Sequence, residues 1–143
     1  KTYLNIIIMN TENVKKQKIK QKKILSRTDI WLSDPETQDF PAAVDYLELL
    51  MPTKEAQAIA DELKKAKTIL KKSKDILRAS KLPLLPKKNI HVQKNINKIK
   101  NKKKLSPILL VRGKDGLIIA DGYHRMCCCY YLTEDLEIPC RLV

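Results

Sequence analysis

Asp121, His124 and Arg125 stand within five consecutive residues, with Gly122 among them. A carboxylate, an imidazole and a guanidinium this close can handle protons and oxyanions. The apolar run 117–120 before them predicts a strand, and 126–132 after them has helical character. Asp121-Gly122-Tyr123-His124-Arg125 is then a junction where a strand ends, a glycine turns the chain and a helix begins. First-turn amides of a helix have no acceptor within it, and the helix dipole is positive there. Such an end attracts anions, phosphate above all. Arg125 would add a planar donor fork that fits phosphate oxygens, and His124 a further donor. Gly122 would let a ligand approach the backbone. Asp121 would cap the helix or help hold a divalent cation beside a phosphate. The plainer alternative is a helix cap, with His124 and Arg125 at the surface or bridging to the core.

The other chemically capable residues point elsewhere. Cys127, Cys128 and Cys129 are consecutive, and Cys140 falls on a predicted last strand. Zinc sites space their cysteines so that the side chains converge, whereas neighbours on a helix point about 100° apart. No metal site is expected. His124 and Cys128 could share a helical face, which permits a metal pair without requiring one. The cysteines read as small buried residues where the helix packs on a sheet. Three adjacent free thiols suit a reducing, cytoplasmic setting. His91 reads as a polar residue opening a lysine-rich helix, with a pocket role as the alternative. Trp31 and Phe40 read as anchors of the N-terminal segment. No aromatics interleave with the lysines, which weakens a single-stranded nucleic-acid reading.

The positioning elements follow from spacing and turn chemistry. A helix should begin near Asp39-Phe40-Pro41, with Asp39 as its cap and Val44, Leu47, Leu50 and Met51 as its stripe. Thr53 is expected to cap a second helix with the stripe Ala56, Ile59, Leu63 and Ala66. The stretch 67–80 has two readings. Either the second helix continues through Ile69-Leu70, or 68–72 is a short strand with Ser73 or Asp75 capping a helical turn. Residues 91–103 predict a helix with the stripe Val92, Ile96 and Ile99. The run 107–112 predicts a buried strand, Asp115-Gly116 a hairpin turn, and 138–143 a last strand. Strands and helices mixed in this order predict an α+β domain over 67–143. A helical extension at 39–66 and a basic, partly flexible segment at 1–38 precede it. Residues 12–24 read as a solvated helix or arm.

The chain has 143 residues and a formal net charge of +13. Lysine supplies 24 of the 29 basic residues, and Lys, Asn and Ile all use A/T-rich codons, so codon bias is one explanation. The excess is local: 64–104 holds 16 basic residues against 1 acidic, whereas 105–143 is net −1. The lysine block therefore reads as a surface separate from the Arg125 junction, and DNA is a candidate partner for it. The acidic helices at 41–66 are a candidate protein interface. Three glycines leave little material for a Gly-rich phosphate loop. No apolar run approaches the roughly 18 residues that span a bilayer, so no membrane partner is expected.

The segment LIIADGYHRMCCC resembles the G-x-H-R-x-x-A signature of the ParB/sulfiredoxin superfamily. LSPILLV, ending at Val111, resembles the strand that precedes that signature, and 91–103 sits where the family has a helix. DFPAA…DYL, from Asp39 to Leu47, is similar to a segment of uncharacterised bacterial ParB-like proteins. The resemblance implies a small mixed sheet flanked by helices that binds a nucleotide's phosphates. Gly122, Tyr123, His124 and Arg125 would form the phosphate-binding box beside Asp121, and Ser106 and Pro107 would border the pocket. It further implies ATP or CTP with Mg²⁺, or another phosphorylated small molecule, and phosphoryl transfer or nucleotide hydrolysis as candidate chemistry. Sulfiredoxins carry their reactive cysteine where this chain has Tyr123, so their activity is not expected. The arginine-rich box and helix-turn-helix domain of partition proteins are not expected either. The family's serine kinases need a further catalytic acid that the sequence does not place.

Overall fold

A strand buried on both faces reads as an unbroken apolar run. Ile108-Leu109-Leu110-Val111 is such a run, and it forms most of β2 (Ile108–Arg112). Ile108 and Leu110 enter one apolar cluster, while Leu109 and Val111 enter another. The sheet therefore needs helices on both sides. The computed structural model describes residues 30–143. The expected arm at 12–24, and most of the basic segment 1–38, lie outside them.

The first layer is α1 (Asp39–Leu47) and α2 (Thr53–Lys65). Phe40, Ala43, Val44 and Leu47 of α1 and Ala56, Ala60 and Leu63 of α2 pack on Leu109, Val111 and Ala120. The segment read as an extension thus covers one face of the sheet. The opposite layer is α3 (Ser73–Ser80), α4 (Ile90–Lys100) and α5 (Tyr123–Leu132). Ile76, then Val92, Ile96 and Ile99, then Met126 to Cys129 meet Ile108, Leu110, Ile119, Ile138 and Cys140. Trp31 is buried in this cluster and its strand-like pairing with Leu105 anchors the start of the described chain. All four cysteines are free and buried, which is the packing role their size allows.

Four strands form the sheet between these layers: β1 (Ile69–Lys72), β2, β3 (Leu117–Asp121) and β4 (Glu137–Leu142). Their order is β1-β4-β2-β3, with β2 and β4 parallel and the other two pairs antiparallel. This is a mixed α+β fold. No helix among the described residues is long and apolar enough to cross a membrane.

Several local expectations need correction. Asp39 lies inside α1 rather than capping it, and its carboxylate reaches back to the Glu36 amide at 2.9 Å and accepts from the Ser106 hydroxyl. Leu47 ends α1, which leaves Leu50 exposed. Thr53 starts α2 without capping it; its hydroxyl faces Glu48 at 3.3 Å. The stretch 67–80 is strand then helix, and Ser73 is no cap: its hydroxyl donates to the carbonyls of Thr133 and Glu134. β1 is an edge strand with every residue exposed, and among the described strands it pairs only with β4.

Candidate functional site

β3 delivers Asp121 to the sheet's end, and Gly122 turns the chain into α5. Gly122 has φ +107°, a conformation that side chains rarely tolerate. A Cβ there would stand 2.4 Å from Ile108 Cγ2 and 3.0 Å from Arg125 Nη2. Among the described residues no side chain caps α5, so Asp121 does not take the capping role expected of it.

Asp121 turns instead to Arg125, one helical turn on, with Nη2 donating to Oδ2 at 2.8 Å. The same Nη2 lies 3.3 Å from the Pro107 carbonyl, and Arg125 Nε is buried without a partner. The guanidinium is therefore first an internal tie, and only in part the free fork that a phosphate would meet. Burial raises the Asp121 carboxyl above the usual carboxylate range, the Arg125 charge opposes this, and the neighbouring Asp39 adds to it. Ser106 and Pro107 are buried behind this tie. Ser106 Oγ donates to Asp39 and accepts from the Glu36 amide at 3.1 Å.

α4 forms the facing wall. Asn89 caps it by accepting from the amides of His91 at 2.9 Å and Val92 at 3.2 Å, which fixes the start of the helix. His91, Lys94, Asn95 and Lys98 then recur at helical spacing, one step from the buried stripe Val92, Ile96 and Ile99. Together with Asp121, Gly122, His124 and Arg125 they line an open cleft of about 210 Å³. Every side chain in that lining is polar or charged, and the cations outnumber the one carboxylate. The lysine block is not separate from the junction: Lys94 and Lys98 carry it into the cleft.

The cleft also joins the chain's two histidines. Their ring centroids are 4.7 Å apart with planes tilted by 52°. Burial, then His91, then Arg125 lower the pKa of His124 below the usual histidine value. Tyr123 does not line the cleft; its hydroxyl donates to the Pro83 carbonyl. The Tyr131 hydroxyl does the same to Leu85 at 2.6 Å, so both tyrosines fasten the 81–89 connection to α5. Burial pushes the Cys128 thiol up to about 12 and the Cys140 thiol up to about 11, so these thiols stay protonated.

The junction thus brings Asp121, Gly122, His124 and Arg125 to one place, with Ser106, Pro107 and Tyr123 in supporting positions around it. The sequence reading missed Lys94, Asn95 and Lys98, and missed Asp39 as a neighbour of Asp121. The only prior signal was the spacing 91, 94, 95, 98, which a solvated helix face shares. No family model, curated protein or solved structure matches the chain.

Proposed function

We propose that the cleft between α4 and the β3–α5 turn binds a phosphate-bearing ligand, a nucleotide or a phosphorylated small molecule. The lining carries this reading: Lys94, Lys98, His91, His124 and Arg125 converge on the uncapped start of α5. Such a group is electropositive, rich in donors and open to solvent. The ParB/sulfiredoxin-like resemblance of the junction agrees with this reading and makes ATP and CTP the first ligands to try. Asp121 is the one carboxylate in the lining and is already held by Arg125. Mg²⁺ is often held by few carboxylates plus substrate phosphates, so it would arrive with the nucleotide and neutralise phosphate charge. Within the cleft, Lys94 and Lys98 would hold phosphate oxygens, and Arg125 would keep Asp121 in place. Phosphoryl transfer or hydrolysis is the chemistry such a site suits.

Calorimetric titration with ATP, CTP, ADP and inorganic phosphate tests the proposal. At least one should bind, and the double change Lys94→Gln/Lys98→Gln should weaken it about tenfold or more. Both lysines are exposed, so the fold should survive the change. Failure of all four ligands to bind, or an unchanged affinity in the double variant, would sink the proposal. Release of phosphate from a ligand that binds separates a hydrolase from a binding module.

A second reading is a DNA-binding module using the 64–104 surface. Every lysine of that block except Lys74 is exposed. Contacts to DNA phosphates give an affinity that falls steeply with salt. A mobility-shift series across ionic strength should show that fall; no shift at low salt rejects the reading.

A further inference from the structure

The histidines at 91 and 124 open two different helices, yet the fold sets their rings 4.7 Å apart in the same cleft. We infer that His91 and His124 form one proton-linked clamp for an oxyanion, so that a bound phosphate group brings a proton from solvent with it. The inference rests on the phosphate reading and adds its regulation by pH.

The surroundings decide the sign. Lys94 and Lys98 face the pair from α4, and Arg125 faces it from α5. The Tyr123 ring, uncharged at neutral pH, lies 5.7 Å from His124. From β3 comes Asp121, whose charge is already met by Arg125 at 2.8 Å. Among the described residues, no other carboxylate lines the cleft to balance a charged imidazole. Two like charges at this separation oppose each other. Burial and the neighbouring positive groups accordingly hold the proton off His124. A phosphate oxyanion beside the rings reverses the balance, since an opposite charge within hydrogen-bond reach favours imidazolium. A neutral imidazole offers one N–H and a charged one offers two, so the proton adds a donor as well as a charge. A proton moves from solvent to an imidazole, and no covalent bond of the ligand changes.

Two measurements test the clamp. ATP is titrated by calorimetry near pH 7.5 in two buffers of different ionisation enthalpy, which reports protons taken up. Sulfate, doubly charged throughout, is titrated from about pH 8 to about pH 6, the range a histidine covers. Wild type should take up protons with ATP, and its sulfate affinity should rise several-fold toward acid, with about tenfold per pH unit the ceiling for one proton. His91→Gln and His124→Gln should each flatten the rise and reduce the uptake. Lys94→Gln should weaken binding at every pH and keep the rise. ATP bound without proton uptake, or a His91→Gln variant that keeps the full rise, overturns the clamp and leaves the phosphate reading standing. No binding of either probe at any pH overturns the clamp, and the phosphate reading falls with it if CTP, ADP and inorganic phosphate fail to bind as well.

Discussion

Two half-buried arginines, Arg125 and Arg141, are each paired with an aspartate at closely similar distance, yet their surroundings differ. Arg141 on β4 has a partner at each of its three nitrogens. Nη1 donates to the carbonyls of Leu63 and Lys64 at 3.2 and 2.8 Å, Nη2 to Asp34 at 2.9 Å, and Nε faces Thr68 at 3.4 Å. It closes the C-terminal end of α2, where carbonyls lack helical partners and a cation is favoured. Arg125 is short of partners: Nη2 is shared between Asp121 and Pro107, and Nε is buried with none. Buried donors are almost always satisfied in a folded protein. Here the shortage coincides with a cation-lined cleft and a glycine at positive φ, which is what the proposed phosphate site would require. Arg141 is a staple between layers, and Arg125 lines the cleft proposed to bind phosphate.

The largest expected effect falls on the Arg125 side. Gly122→Ala must relieve both a positive φ and the 2.4 Å approach to Ile108, which is itself fully buried in β2. The cost should be about 3 kcal/mol, read as a shift in the urea midpoint. A change below about 1 kcal/mol would mean that the turn relaxes freely and that the strained geometry is not required.

The two arginines should then separate by pH and by ligand. Arg141→Ala removes charge-assisted bonds to two carbonyls and should cost about 2 kcal/mol without weakening phosphate binding. Arg125→Ala leaves the half-buried Asp121 without its counter-charge. Its cost should also be about 2 kcal/mol near neutral pH, but should shrink as acid protonates Asp121. The sign follows from the carboxyl's raised pKa. The native state takes up the proton at higher pH than the unfolded chain, so stability falls as pH rises above the unfolded value of 3.8. Removing Arg125 widens that window. Equal and pH-independent costs at the two sites, with equal effects on binding, would erase the distinction.

The same contrast explains what the sequence could disclose. The segment from 105 onward was legible because its signals are local: an apolar run, an Asp-Gly turn, a second run, a glycine and a helix. Gly122, His124 and Arg125 were legible together for that reason. β1 was ambiguous because it is exposed along its length, so it has no alternation to display, and only pairing with β4 makes it a strand. Leu70 also falls roughly in phase with Ile59, Leu63 and Ala66, which fits a longer helix equally well. Asp39 looked like a cap because its neighbours suit a helix start; its real partner, Ser106, is 67 residues away. Lys94 and Lys98 were hidden by abundance, since a lysine among 24 carries little information until the fold shows which ones face His124.

A smaller effect tests how the α4 wall is held. Asn89→Ala removes the two bonds that start α4 and should cost about 1 kcal/mol. Because His91 is the second residue of that helix, phosphate affinity should drop as well. A stability loss with unchanged affinity would show that the wall does not depend on its cap.

The smallest effect concerns His124 without any ligand. Its pKa lies below the usual 6.5, chiefly through burial and then through His91 and Arg125. Between the unfolded value and the lowered native one, the unfolded chain binds more protons than the native state. Stability contributed by the neutral ring is therefore present above 6.5 and is lost as pH falls through the native value. In sulfate-free buffer, wild type should lose stability between about pH 7 and about pH 5, and His124→Gln should lose less over the same range. His91→Gln should narrow the loss too, since it removes the second cause of the shift. An anion that enters the cleft should do the opposite and restore stability at the acid end, because it favours the charged ring. Identical pH profiles for wild type and both variants would show that the ring pair holds no proton-linked energy, and would leave Asp121, the carboxyl paired with Arg125, as the remaining proton-linked group in the cleft.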